Sequence, residues 1–156
     1  WRPIAAQCEE HPPEEGQVQT AGFLDSTTGV WDDIPGETQS HLFGTGLTYV
    51  PGNFGFVVTE PGYWAADFQF SVSSTSNNAD IQLRASGDAG PGAAFTYTIR
   101  QSGASASGSF RAMFEVTQAE IDAGTIYIVI ERNISQTVTW INAEMTVSRE
   151  GFAVPT

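Results

Sequence analysis

Few residues in this sequence have the chemistry an active site needs. The candidates for proton transfer or metal ligation are two histidines, His11 and His41, one cysteine, Cys8, and several acidic clusters. An imidazole works as a general base only with a nucleophile within reach and a third group to orient it. His11 lies among glutamates in a stretch broken by Pro12 and Pro13, and His41 stands beside Leu42 and Phe43 at a strand start, so both read as ordinary surface or core histidines. Cys8, His11, Glu9, Glu10, Glu14 and Glu15 collect metal-binding atoms, but their spacing matches no closed tetrahedral site and a proline-rich stretch cannot hold ligands rigidly. Asp25, Asp32 and Asp33 offer oxygens to calcium, yet no Asp-x-Asp-x-Asp-Gly loop accompanies them and solvated turns describe them better. Asn133-Ile134-Ser135 fits the glycosylation pattern, which is short enough to arise by chance. No Gly-x-Ser-x-Gly elbow, phosphate loop or dinucleotide fingerprint is present. The sequence therefore assigns no catalytic residue, no cofactor and no metal, and the expectation is a protein that is not an enzyme and works by binding and assembly.

The elements that would position any site are strands. From Trp1 to Thr20 the chain holds Pro3, Pro12 and Pro13 and shows no period of two or of 3.6, which reads as an extended arm over residues 1–20. Trp1, Ile4 and Val18 are apolar anchors by which such an arm could lie on a neighbouring surface. The remaining residues, 21–156, read as one domain of short strands separated by turn residues.

The clearest alternation sets Trp64, Ala66, Phe68, Phe70 and Val72 on one face, with Ala65, Asp67, Gln69 and Ser71 on the other. Ile81 and Leu83, then Phe95 and Tyr97, then Phe110 and Phe114 continue it, and Ile141, Ala143, Met145 and Val147 form the inner set of a last strand over 135–149. The expected core also takes in Ile128 and Ile130. Thr117 to Ala123 alone looks helical, with Thr117 and Glu120 as a capping box and Gly124 as the stop. Ile126, Tyr127, Ile128, Val129 and Ile130 are apolar without alternation, so this strand is buried on both faces or forms a subunit contact; the five residues are the trimer-interface candidates. Such a pattern predicts an all-β jelly-roll sandwich with an extended amino-terminal arm.

Charge narrows the partners. Asp and Glu number 18, the basic residues are six arginines, and the net charge is −12. Nucleic-acid affinity rests on cationic side chains that neutralise phosphates, so DNA, RNA and anionic membranes are excluded as partners, and the same acidity favours solubility. No run of apolar residues is long enough for a membrane helix. No basic-then-apolar leader is legible at the amino end. A single cysteine forms no disulfide within the chain.

Pro61-Gly62-Tyr63 opening the aromatic strand Trp64 to Phe70 resembles the strand of tumour-necrosis-factor-like and complement-type globular heads. The order that follows is similar too: an Ile-x-Leu strand, a strand-loop-strand pair, Gly124 to Ile128, and the closing strand Val138 to Val147. The resemblance covers about residues 46–150, and the chain has neither the stalk nor the cysteine pair found in some members. It implies a jelly roll that packs into homotrimers, a form that bacterial viruses use in capsid decoration and fibre heads. The resulting expectation is a virion structural protein at the capsid surface, a decoration or head-fibre subunit whose arm meets capsid or other particle proteins. The alternative is a receptor- or carbohydrate-binding head, although the loops 73–78 and 87–92 carry no aromatic residue on which a sugar could stack.

Overall fold

The computed structural model describes residues 14–74, 79–86, 93–100 and 105–151, with the backbone alone for 84–86 and 93–100. The strands in chain order are β1 (Glu15–Asp25), β2 (Asp32–Asp33), β3 (Thr38–Phe43), β4 (Leu47–Tyr49), β5 (Gly55–Val58), β6 (Gly62–Ser73), β7 (Asp80–Ser86), β8 (Ala93–Arg100), β9 (Ser105–Val116), β10 (Ile126–Ile134) and β11 (Val138–Gly151). One short helix, α1 (Gln118–Ala123), precedes β10. They form two sheets: sheet I in the order β3-β1-β11-β6-β9, and sheet II in the order β4-β5-β10-β7-β8 with β2 also paired to β10. Every pairing is antiparallel. The expected all-β sandwich is the fold observed.

The inner faces of the sheets meet in one core. Trp64, Phe68, Phe70, Ile81, Leu83, Phe114, Ile128, Ile130 and Met145 are buried in it as the alternation predicts, with Phe110 partly buried at its margin. Phe54 meets Phe68 edge-on at 5.9 Å and Phe70 meets Trp140 at 6.0 Å, so aromatic rings from two strands and a loop pack together in the core. The side chains of Phe95 and Tyr97 lie outside the described residues. Gly55 allows β5 to approach β10: a Cβ there would sit 2.0 Å from the Ile128 carbonyl oxygen.

Three local findings revise the sequence reading. The packed domain begins before residue 21, because Glu15–Thr20 are part of β1, hydrogen-bonded between β11 and β3. The inward positions there are Gly16, Val18 and Thr20, a set too small and polar to register as an apolar stripe. Gly16 is small for a reason, since a Cβ would meet the Phe56 ring at 2.6 Å. Secondly, the register of β11 against β6 shifts between Trp140 and Asn142, a bulge that turns Ile141 to solvent at 46% exposure and puts Trp140 in the core instead. Thirdly, Asp25 lies not in a solvated turn but in a buried ion pair with Arg132. The helix forms where expected: the Thr117 hydroxyl accepts from the Glu120 amide at 3.2 Å and the Glu120 carboxylate accepts from the Thr117 amide at 3.0 Å.

Candidate assembly face

The outward side chains of sheet I form one surface, and the register places them in rows. One row runs Phe43, Glu15, Ser148, Ala65, Met113. The next runs His41, Gln17, Thr146, Asp67, Arg111. Beyond it lie Gln19, Glu144, Gln69, Ser109, then Ala21, Asn142, Ser71, Ser107, then Leu24, Thr139, Ser73, Ser105. The last two rows carry no charged residue, although the chain bears a net charge of −12. Large apolar side chains stand at both ends of the face, Leu24 and Ile141 at the uncharged rows and Phe43, Tyr63 and Met113 at the opposite end, all at least 40% exposed.

The polar groups of this face are tied to one another. Gln17 donates to the Thr146 hydroxyl at 3.1 Å, Gln69 donates to the Glu144 carboxylate at 3.1 Å, and Arg111 bridges Asp67 at 3.1 Å and Glu150. The hydrogen bond to Glu150, and then the Asp67 charge, hold the Arg111 guanidinium in its charged form more firmly than usual. Between these pairs lies a shallow groove of about 370 Å³, lined by Asp67, Gln69, Ser109, Arg111, Glu144 and Thr146 among others. Its groups satisfy each other, so none is poised as a lone acid or base.

The residues singled out from sequence are distributed differently. Ile126, Ile128 and Ile130 point into the core at 7%, 0% and 0% exposure, which leaves them almost no surface for a partner. Their strand runs through the middle of sheet II, hydrogen-bonded to β5 on one edge and to β7 on the other. Tyr127 and Val129 face the other way, half-buried and 9% exposed respectively. Val18 is fully buried in the core and cannot serve as an arm anchor. Trp1, Ile4, Cys8 and His11 lie outside the described residues.

His41 pairs with Glu15 at 2.9 Å and stacks on Phe43 at 5.0 Å, a surface arrangement. Asp33 lies beside Asp32, Glu131 and Glu37, and burial first, then those charges, push its carboxyl up to about 6 against the opposing pull of Arg132. Among the described residues no three His, Cys, Asp or Glu side chains converge as a metal ion requires, and no helix is long and apolar enough to cross a membrane.

No protein-family model matches the sequence, and no curated protein matches it. Solved structures do match the fold. Eiger TNF from S. frugiperda aligns over 93% of this chain and 97% of its own with a TM-score of 0.60 at 10% identity. Murine APRIL aligns over 88% and 99% with a TM-score of 0.55 at 12% identity. The PRD1 vertex protein P5 aligns over 90% and 73% with a TM-score of 0.57 at 10% identity. At such identities the likeness is one of fold, and the chain has the tumour-necrosis-factor-like jelly roll that its Gly-Tyr-aromatic strand suggested.

Proposed function

We propose that this chain is an assembly module, a head that joins copies of itself into a homotrimer through the outward face of sheet I and serves as a structural subunit of a virus particle. The observation that carries the reading is the character of that face. In a strongly acidic chain one end of it gathers two rows of Leu, Ser, Ala, Thr and Asn without charge, with exposed Leu24 and Ile141 among and beside them. Depletion of charge is the compositional mark of the buried part of subunit interfaces. The small side chains of those rows also let a partner approach closely, as closed symmetric assemblies need.

The particle role, as decoration or head fibre at the capsid surface, is supported by the shared fold with a protein named for a vertex, PRD1 P5. Residues 1–13 are proposed to supply the contact with particle proteins, with Trp1 and Ile4 as anchors. An acidic exterior would keep such a subunit from capturing nucleic acid. Sugar or receptor binding ranks second, because the polar groups of the groove on sheet I are already engaged with one another. Sedimentation of the purified chain, native and with a charge placed in the uncharged rows of the face, tests the assembly reading.

A further inference from the structure

Where the chain enters its first strand, one guanidinium is held between two carboxylates. Arg149 near the end of β11 donates from Nη1 to Glu14 Oε2 at 2.5 Å and stands 3.6 Å from Glu60 Oε2, and it also donates to the Pro61 carbonyl. The Arg149 and Glu14 side chains are 10% and 9% exposed, while Glu60 reaches the surface at 38%. The other oxygen of Glu14 accepts from the Gly46 amide at 3.0 Å and the Thr45 amide at 3.3 Å, and the Glu14 carbonyl accepts from the Arg149 amide at 3.0 Å. Trp64 closes the group from below: its ring lies 5.6 Å from the guanidinium carbon and its indole N–H donates to the Glu60 carbonyl at 3.2 Å. Elements from four parts of the chain thus converge on the residue that precedes β1.

We propose that Glu14, Glu60 and Arg149 form a proton-operated latch that fixes the root of the amino-terminal segment to the jelly roll. One positive charge balances one carboxylate, so the group is neutral when a single proton is shared by the two glutamates and carries a net negative charge when both are ionised. Neutrality matters here because the site is largely closed to water. Other charges near the group are engaged elsewhere: Glu15 with His41, and Glu150 with Arg111, both on the outward face of sheet I. Thr45 donates its hydroxyl to Glu60 and is the only further polar side chain, among the described residues, shown to bond to the pair.

The direction of the switch follows from the surroundings. Burial alone would raise Glu14, but its bonds to Arg149, Glu60 and the Gly46 amide outweigh burial and hold it below the ordinary value of 4.5. Glu60 is pushed above 4.5, first by its hydrogen bond to Glu14 and then by burial, against the pull of Arg149. A raised folded value means that Glu60's contribution is complete below 4.5 and is lost as pH rises through the folded value; for Glu14 the contribution is present above 4.5 and is lost as pH falls through its own. The latch is therefore closed in mild acid and loosens toward neutral pH. This inference stands apart from the assembly reading, since both partners and reporter lie within one chain.

Two nuclear magnetic resonance signals report on it directly, the Trp64 indole proton and the protection of the Gly46 amide against hydrogen exchange, corrected for intrinsic rates. In the native chain both should change with a midpoint above 4.5, the Gly46 protection falling as the pH rises. Glu60→Gln keeps a neutral hydrogen-bonding group of the same shape, and should leave both signals flat between pH 5 and 8. Flat signals in the native chain, or a titration that persists unchanged in Glu60→Gln and so belongs to another group, would overturn the latch.

Discussion

Asp25 and Arg132 stand 107 residues apart in the chain and close a two-pronged ion pair, Oδ1 accepting from Nη2 and Oδ2 from Nε, each at 2.7 Å. The Trp140 indole donates to the same carboxylate at 3.0 Å, and Arg132 reaches the Val30 carbonyl at 3.2 Å. Both charged side chains are 2% exposed, so the pair staples the end of β1 in sheet I to β10 in sheet II within the dry interior.

Removing one member of such a pair strands the other charge. Asp25→Ala is expected to destabilise the fold by about 3–5 kcal/mol in urea denaturation, whereas replacing both residues together, Asp25→Leu with Arg132→Met, should recover most of that loss. A single variant within about 0.5 kcal/mol of the native chain, the range of ordinary surface changes, would contradict the assignment.

Two glycines separate close packing from open space. Gly55→Ala brings a methyl group to 2.0 Å from backbone atoms that cannot yield and should destabilise by about 1–3 kcal/mol or more. Gly124→Ala meets nothing within 4 Å, on extended backbone with φ of 171°, and should lie within about 0.5 kcal/mol of the native chain. Equal thermal midpoints for the two variants would show that β5 and β10 are not in the described contact.

Truncation distinguishes the segment before Glu14 from the strand after it. Deleting residues 1–13 should leave a cooperatively folding head that no longer binds particles, while deleting residues 1–20 also removes Val18 and Thr20 from between β11 and β3 and should abolish cooperative melting. Melting followed by near-ultraviolet circular dichroism decides between them; similar curves for both truncations would place the domain boundary elsewhere.

Asp33 gives the fold a measurable pH dependence. Its carboxyl, pushed to about 6 from an ordinary 3.8, binds a proton more readily when folded, so its favourable contribution is complete below 3.8 and is lost as pH rises through 6. Asp33→Asn should therefore stabilise the chain by roughly 1 kcal/mol at pH 7.5, after allowance for solvent screening, and by less at pH 5. An equal effect at both pH values would remove Asp33 as the titrating group.

Much of the fold is legible in the sequence, and for a physical reason. Trp64 to Val72 alternates large apolar with small or polar side chains because one face of β6 meets the core and the other meets water, and the Thr117–Glu120 box announces its helix by local bonding alone. What escapes the sequence depends on distant partners. β1 is hidden because Gly16 answers to the Phe56 ring across the sandwich, and Ile141 is misplaced because a bulge shifts the phase of β11 by one residue. The Asp25–Arg132 pair, the rows of sheet I and the Glu14–Glu60–Arg149 group each join residues far apart in the chain, and no spacing rule foretells them. Ile126 to Ile130 shows the limit most clearly, since burial inside a sheet and burial against a subunit leave the same apolar run.

The assembly claim rests on the outward face of sheet I, and sedimentation velocity at micromolar concentration tests it most directly. Ser71 is half-buried in an uncharged row between Asn142 and Ser107, so Ser71→Arg places a charge in the uncharged part of the proposed interface without touching the core. The account predicts a trimer for the native chain and a folded monomer for Ser71→Arg, with the same circular dichroism. A native chain that sediments as a monomer, or a trimer that Ser71→Arg leaves intact, would contradict it.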